Sequence, residues 1–436
     1  MSTELRRVVI TGAGIISPIG IGRDAFWSGI SEKKSGLAKV ERLSGTGLPH
    51  NIAGEVKEFD ESSARKLYFD SKDQKKSIKI MCREIQLGVA SANLALADSQ
   101  LDLDAIDHTR LGVEFGANQM FSPPEVLAPG AFACSDGKDF QFDRWGDEGL
   151  AQMEPLWLLK YLPNMPACHI GIRADARGPN NSLTMAEASG INALAEAYRI
   201  ISNNRADIML GGSTGTRVES VKTIHARLWD QLADYGDEAD PSTWCRPFDA
   251  TRRGQVVGEG ACTFIVEEEG HAKARGAEIL GTILGIGGSC VMDINGKANR
   301  RQAIVNAVNA ALRDAGLSPS DVQNIHAHGL GETLADVEEA EALATVFGDS
   351  LANIPVTALK SYTGNSGAAC GTLELAASLL GAKNGVIPAV LNYSQPDEKC
   401  PLNVVHGDHL ASSAKVILNL NVTDQGQAAA IVVAAA

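Results

Sequence analysis

One acidic side chain lies where a reactive group would be expected. The segment RGPNNSLTMAEASGINALAEAYRII begins with a Gly-Pro turn, passes through small residues and ends in a strongly helical run. This layout places Glu187 at a helix N-terminus, where free backbone N–H groups and the helix dipole concentrate positive potential. Such a turn suits a thiolate or an oxyanion, but here it carries a carboxylate. Without the rest of the chain, the favoured interpretation of Glu187 is a surface residue that compensates the helix dipole.

The elements that must position this residue alternate between strands and helices. Runs of β-branched residues followed by Gly-rich turns predict strands, and long Ala/Leu runs predict helices. The predicted strands are RRVVITGAGIISPIG, RLGVEFGANQM, ADIMLGGSTGT, AEILGTILGIGGS, NIHAHG, IPVTALKS, VILNLNV and AAAIVVA. The alternation predicts largely parallel sheets covered on both faces. Each half has a small-residue turn before a long helix (ASGINALAEAYRI and GAACGTLELAASLL), which favours an internal duplication.

Composition excludes several classes of function. The chain has 436 residues, 44% of them hydrophobic, enough for one large domain or two closely packed ones. A formal net charge of -14 argues against nucleic acid as a partner, and an acidic partner would need a local basic patch. The termini show no signal peptide, and AAAIVVAAA is too short to span a bilayer. The 8 scattered cysteines predict reduced thiols in a cytoplasmic protein and no metal site.

Longer motifs resemble those of a known family. The most specific is RPFDATRRGQVVGEGACTFIVEE, supported by LPNMPACHIGIRADARGPNNS, IHAHGLGETLAD, LKSYTGNSGAACGTLE and IPAVLNYSQPDEKCPLNVV. With these motifs the chain resembles, nearly end to end, the β-ketoacyl-acyl carrier protein synthases, which are condensing enzymes of the thiolase-like fold. The resemblance implies an α/β, five-layer αβαβα body of two similar halves, usually dimeric. We place the halves at residues 1–260 and 261–436.

The resemblance also implies where the catalytic residues lie. The family's nucleophilic cysteine falls on Glu187, and its second histidine falls on Asn365. Its first histidine and its lysine are kept as His328 and Lys360. Three further positions are expected to bind or frame the substrate: Glu374, which is kept, Gln255, which replaces a Phe, and Asp424, which replaces the Phe of a Gly-Phe-Gly-Gly loop.

The change from cysteine to glutamate removes the chemistry that starts condensation. A condensing enzyme first takes an acyl group onto a thiolate, whereas a carboxylate is a poor nucleophile toward a thioester. The mixed anhydride it would form is also less stable than the thioester. We expect Glu187 to place its own oxygen in the oxyanion hole, accepting hydrogen bonds from two backbone N–H groups. The resemblance then predicts a non-condensing partner subunit in a fatty acid or polyketide system, similar to a chain-length factor, in which a glutamine replaces the cysteine.

Three other interpretations remain open from the sequence. His328 and Asn365 could donate hydrogen bonds to a thioester carbonyl or an enolate, as in an acyltransferase or a malonyl decarboxylase acting on carrier-bound thioesters. Glu187, Asp424 and His328 could instead converge as a facial metal-binding triad, although Asp424 also fits a solvated loop. In the third interpretation the chain keeps the fold for self-association only.

A run of basic residues predicts a docking surface. Lys75, Lys76 and Lys79 share one side of a predicted helix, DSKDQKKSIKIMCREIQLGVASANLALA, and Arg83 extends it. In the synthases this helix docks the acidic acyl carrier protein, whose phosphopantetheine arm is the only cofactor implied. A solvated charged face is the equally weighted alternative. The remaining implied partner is a second subunit, in a homodimer or in a heterodimer with an active ketosynthase.

Overall fold

A computed structural model describes residues 5–43, 45–67, 69 and 71–436. The helices are α1 Arg23–Ser31, α2 Glu61–Leu67, α3 Lys72–Ser77, α4 Arg83–Ser99, α5 Pro124–Ala133, α6 Met165–Ala174, α7 Ser189–Ser202, α8 Ser220–Trp229, α9 Glu269–Ala274, α10 Arg300–Ala315, α11 Ala335–Phe347, α12 Lys360–Thr363 and α13 Cys370–Lys383. None of the helices in these residues is long and apolar enough to cross a membrane. The long helices α4, α7 and α10 form where small and aliphatic residues recur at helical spacing.

The strands are β1 Val8–Ser17, β2 Gly20–Ile21, β3 Leu37–Lys39, β4 Ile52–Gly54, β5 Leu111–Ala117, β6 Asn180–Leu183, β7 Ile208–Thr216, β8 Glu259–Glu268, β9 Gly281–Cys290, β10 Asn324–His326, β11 Val356–Thr357, β12 Val386–Ile387, β13 Leu410–Ala411, β14 Val416–Val422 and β15 Gln427–Ala435. Every strand segment predicted from the sequence therefore contains a strand. The longer strands β1, β14 and β15 contain runs of β-branched residues, as the sequence predicts.

The main sheet is mixed, so the expectation of a largely parallel sheet was wrong. In the described chain its strands run in the order β11-β10-β14-β15-β9-β1-β8-β7-β5-β6, with β2 attached to β1. Parallel pairs lie toward both ends, whereas β15, β9, β1, β8 and β7 pair antiparallel along the middle. One cause is visible at β14 and β15, which the short turn Thr423–Gly426 joins, because so short a turn permits only antiparallel pairing.

Two matching helices lie at the centre of the molecule. Each of α7 and α13 follows a short 3₁₀ turn, Ala186–Ala188 before α7 and Gly367–Ala369 before α13. Their approach is close, since a Cβ atom at Gly190 would lie 2.9 Å from the backbone oxygen of Ala368. This contact brings the N-termini of the two helices together, so residues just before each helix can meet.

Candidate functional site

Glu187 lies directly before α7, as the sequence predicts. It occupies the middle of the turn Ala186–Ala188 and is 15% exposed. Ala186 has a φ of 44°, a left-handed conformation that is strained for a residue with a Cβ atom. Strain of this kind, which costs on the order of 1–3 kcal/mol, concentrates at functional positions. The strained turn therefore precedes α7 directly and carries Glu187 as a largely buried side chain.

The carboxylate of Glu187 binds a side chain instead of an oxyanion hole. Its Oε1 accepts a hydrogen bond from Asn365 Nδ2 at 3.0 Å. In the described part of the chain no backbone N–H donates to this carboxylate, so the expectation that it fills an oxyanion hole was wrong. Asn365 lies in the segment between α12 and α13 and is buried. The close approach of the two helix N-termini explains why a side-chain amide, and not the turn itself, meets Glu187.

Both N–H groups of Asn365 are already in use. Besides Glu187, Nδ2 donates to Gln255 Oε1 at 2.7 Å. Its Oδ1 accepts from the Gly367 backbone N–H at 2.9 Å and from the Cys370 thiol at 3.2 Å. These contacts fix the orientation of the amide, because a flipped amide would place its NH₂ against two donors.

An arginine and an aspartate that sequence reasoning missed complete this network. Arg217 NH1 donates to Gln255 Oε1 at 2.9 Å and lies 3.9 Å from Glu187 Oε1, while its NH2 pairs with Asp230. Burial opposes the charge of Arg217, but Asp230 and Glu187 outweigh it and raise its pKa. Its position in the sequence could have identified Arg217 as a site residue, because it directly follows β7, at the strand end that pairs with the start of β8.

Gln255 connects these groups to a further carboxyl. Its Nε2 donates to Glu332 Oε1 at 2.8 Å, and the Gln255 side chain is buried. Burial, together with the charge of Asp424, raises the pKa of Glu332 to about 7. Gln255 therefore contacts Asn365, Arg217 and Glu332, and its contact with substrate stays a prediction.

His328 and Lys360 form a second buried group. Lys360 Nζ lies 3.1 Å from His328 Nδ1, 2.6 Å from the His328 backbone oxygen and 2.5 Å from Glu374 Oε1. Asn421, on β14, donates from Nδ2 to Glu374 Oε2 at 2.8 Å and lies 3.2 Å from His328 Nδ1. Glu374 therefore contacts the lysine and Asn421, and substrate binding by Glu374 stays a prediction.

The neighbours of His328 fix its tautomer. Lys360 Nζ and Asn421 Nδ2 are both donors, so Nδ1 must accept and the proton must sit on Nε2. Burial, with the positive charges of Lys360 and Arg300, holds the pKa of His328 well below its usual range. Nε2 is buried and has no hydrogen-bond partner among the described residues. His328 is thus a neutral ring with one unused N–H donor.

A surface pocket of about 480 Å³ leads to Glu187. Its walls are formed by Asn118, Gln119, Phe121, Ala186, Glu187, Arg217, Lys222, His225, Ala226, Trp229, Asp230, Gly367, Asp424 and Gln425. Neither Asn365 nor His328 lines this pocket, because the Glu187 carboxylate covers Asn365 and His328 is buried.

Asp424 lies at the mouth of this pocket, in the turn between β14 and β15. It is 47% exposed and accepts from Arg300 NH1 at 2.6 Å. Across residues 5–43, 45–67, 69 and 71–436, no group of three or more His, Cys, Asp or Glu side chains is arranged to hold a metal ion. The alternative triad of Glu187, Asp424 and His328 is therefore not formed.

The basic run does not form one helix. Lys75 and Lys76 lie on α3, and Lys79 follows in a 3₁₀ turn; all three are exposed. Arg83 begins α4 after a break and is turned inward, binding Glu259 Oε1 at 2.6 Å and the Phe59 backbone oxygen at 2.6 Å. The expectation that Arg83 extends the docking surface was therefore wrong, because the buried Glu259 requires its charge.

Comparison with known proteins identifies the family of this chain. The Beta-ketoacyl synthase N-terminal domain matches residues 5–272, and the Beta-ketoacyl synthase C-terminal domain matches residues 277–394. The chain belongs to the β-ketoacyl synthase family. It is 31% identical over 403 residues to 3-oxoacyl-[acyl-carrier-protein] synthase 2 of Coxiella burnetii, covering 92% of each chain. It is 30% identical over 417 residues to the protein of the same name from Synechocystis sp., covering 95% of each.

Solved structures agree with this assignment. A β-ketoacyl synthase from Burkholderia phymatum STM815 superposes with a TM-score of 0.84 at 26% identity, covering 99% of this chain and all (100%) of the other. The ishigamide ketosynthase/chain length factor gives a TM-score of 0.83 at 26% identity, with 99% and 100% coverage. A type II polyketide ketosynthase in complex with its acyl carrier protein gives 0.82 at 26% identity, again with 99% and 100% coverage. The thiolase-like α/β fold of two similar halves is thereby confirmed.

Proposed function

We propose that this chain is a non-condensing partner subunit of a fatty acid or polyketide system, comparable in role to a chain-length factor. One observation carries the proposal: the side chain at the start of α7 is the carboxylate of Glu187, held by Asn365 at 3.0 Å. Acyl transfer onto the subunit needs a nucleophile whose acyl product is stable enough to persist. A carboxylate bound in this way is a poor nucleophile and gives an anhydride.

The partners follow from the same proposal. The related structures include a ketosynthase with an acyl carrier protein and a ketosynthase with a chain length factor. We propose that this chain pairs with an active ketosynthase or with a second copy of itself. An acyl carrier protein would dock at Lys75, Lys76 and Lys79 and present its phosphopantetheine arm. All 8 cysteines are free, which supports a cytoplasmic location.

We retain residues 1–260 and 261–436 as the two halves. The support is the repeated pattern of a 3₁₀ turn followed by a central helix, once in each half. The boundary falls inside β8 (Glu259–Glu268), so the halves are repeats within one body and not separable units.

A second candidate function is acyl transfer or malonyl decarboxylation by His328 and Asn365. The unpartnered Nε2–H of His328 favours it, because such a donor can bind a thioester carbonyl or an enolate. Two features oppose it. Both N–H groups of Asn365 already donate hydrogen bonds, one to Glu187 and one to Gln255. A malonyl carboxylate about 4 Å from Glu187 would cost roughly 4 kcal/mol at an effective dielectric of about 20.

Separate incubations with hexanoyl- and malonyl-carrier protein test the proposal, with intact-mass spectrometry of both proteins. We expect no acyl adduct on this chain and no loss of carbon dioxide from the malonyl group beyond the rate of carrier protein alone. Decarboxylation that His328→Ala removes would establish the second candidate instead. An acyl adduct that Glu187→Ala removes would contradict both assignments, since it would make Glu187 a nucleophile.

A further inference from the structure

The groups around the Glu187 carboxylate are arranged to bind an anion. Asn365 Nδ2 donates to it at 3.0 Å, and Arg217 NH1 faces the same oxygen from 3.9 Å. The positive end of α7, a helix of 14 residues, adds to the potential there. Each of these groups favours a negative charge at the position of Oε1.

Both donors are held in place without help from Glu187. Asn365 is fixed through its Oδ1, which accepts from the Gly367 N–H and the Cys370 thiol. Arg217 is fixed by its pair with Asp230 and by its hydrogen bond to Gln255 at 2.9 Å. Removing the Glu187 side chain would therefore leave the donors where they are, with an empty space between them.

We propose that Asn365 and Arg217 form a carboxylate-binding site that the chain fills with its own Glu187. Its ligand class is a short monocarboxylate such as formate or acetate, which reproduces the end of the glutamate side chain. A tethered group acts at high effective concentration, so the resident carboxylate excludes free carboxylates from the wild-type site. The inference rests on the proposed function in treating Glu187 as a resident ligand, but its test measures binding and not turnover, so the two can fail separately.

The charges of the pocket explain why a second anion does not enter beside Glu187. Glu187 and Asp230 carry two negative charges against the single positive charge of Arg217, while Asp424 and Lys222 in the same pocket are paired with Arg300 and Glu84. A second anion entering the wild-type pocket would meet this excess of negative charge. With Glu187 removed, Arg217 and Asp230 balance, and Asn365 presents a free N–H.

The test compares thermal unfolding of wild type and Glu187→Ala in 0–100 mM sodium acetate, with sodium chloride replacing acetate at constant ionic strength. We expect acetate to raise the Tm of Glu187→Ala saturably by about 1–2 °C, since a ligand that binds only the folded state stabilises it. Wild type and Glu187→Gln should show no acetate-specific shift, because a side-chain oxygen already occupies the site.

A double variant identifies the binding groups. Glu187→Ala/Arg217→Met should lose the acetate response while keeping the folded circular dichroism spectrum. An equal acetate-dependent Tm shift in wild type, both single variants and the double variant would overturn the proposal. The absence of a Tm shift in a folded Glu187→Ala would overturn it as well. If Glu187→Ala folds poorly, its refolding yield should be higher in acetate than in chloride, and equal yields would overturn the proposal in the same way.

Discussion

In the proposed function, Glu187 places a hydrogen-bond acceptor where a condensing enzyme carries its nucleophile. The acceptor can be kept while its charge is removed, and Glu187→Gln does this because the amide oxygen can still accept from Asn365 Nδ2. We predict that the folded structure is retained and that the free energy of unfolding falls by about 1–2 kcal/mol, from the weaker hydrogen bond and the lost helix-end interaction. Urea unfolding measures this. Glu187→Ala is the matched control and should lose more, since it leaves the Asn365 donor unpaired; equal losses would mean that the Asn365 contact contributes nothing.

The buried histidines give a second prediction at the residue scale. Burial holds the pKa of His328 well below its usual range and lowers that of His326 to about 3. Nitrogen NMR should therefore show both rings neutral at pH 5, with the His328 proton on Nε2. In urea, the same histidines should titrate near 6.5. A His328 ring that gains a proton between pH 7 and 5 in the folded protein would contradict the assigned environment.

The direction in which pH changes the stability of the protein follows from the difference between the folded and unfolded pKa values of these histidines. Below about pH 6.5 the unfolded chain takes up protons at His326 and His328 that the folded chain does not. These two residues therefore make stability fall as the pH drops through 6.5, and for His326 the loss continues to about pH 3.

At the scale of elements, α3 and the turn after it present the cations proposed for docking. Reversal of Lys75, Lys76 and Lys79 to Glu should weaken binding of an acidic acyl carrier protein at least tenfold, because exposed charges act through a screened potential. Calorimetry at 50 and 300 mM salt measures this, and wild-type affinity should also fall with salt. The matched control reverses three exposed lysines elsewhere, Lys138, Lys273 and Lys297. Equal affinities of the two triple variants would make the proposed surface an ordinary solvated face.

The elements themselves were largely predictable from the sequence, but their contacts were not. Apolar runs that end in Gly-rich turns predicted β1 and β7, and helical periodicity predicted α10, which buries one apolar face. The single helix predicted around Lys75 to Arg83 is interrupted before α4, where Arg83 turns inward to the buried Glu259, a contact far away in the sequence. The predicted parallel pairing of the strands was also wrong, because pairing direction depends on how the connecting segments run between strands and not on the strand sequences.

At the scale of the whole molecule, the site is assembled from segments far apart in the chain. Glu187 precedes α7, Asn365 precedes α13, and Arg217 follows β7. The motifs of the family located His328, Lys360 and Asn365, which lie within recognisable segments, and Glu187, which closely follows such a segment. Arg217 and Asp230 lie outside those segments, and only the packing within the first half shows that they meet Glu187.

The central claim is that this member of the family does not condense. The most direct measurement is incubation of the wild-type chain with hexanoyl- and malonyl-carrier protein together, followed by mass spectrometry of the carrier-bound products, with Glu187→Ala and Glu187→Cys in parallel. We predict no β-ketoacyl product from wild type or Glu187→Ala. Glu187→Cys should form an acyl-thioester on the chain but little product, since Asn365 cannot act as the family's second histidine. A β-ketoacyl product from wild type, well above that of Glu187→Ala, would contradict the account.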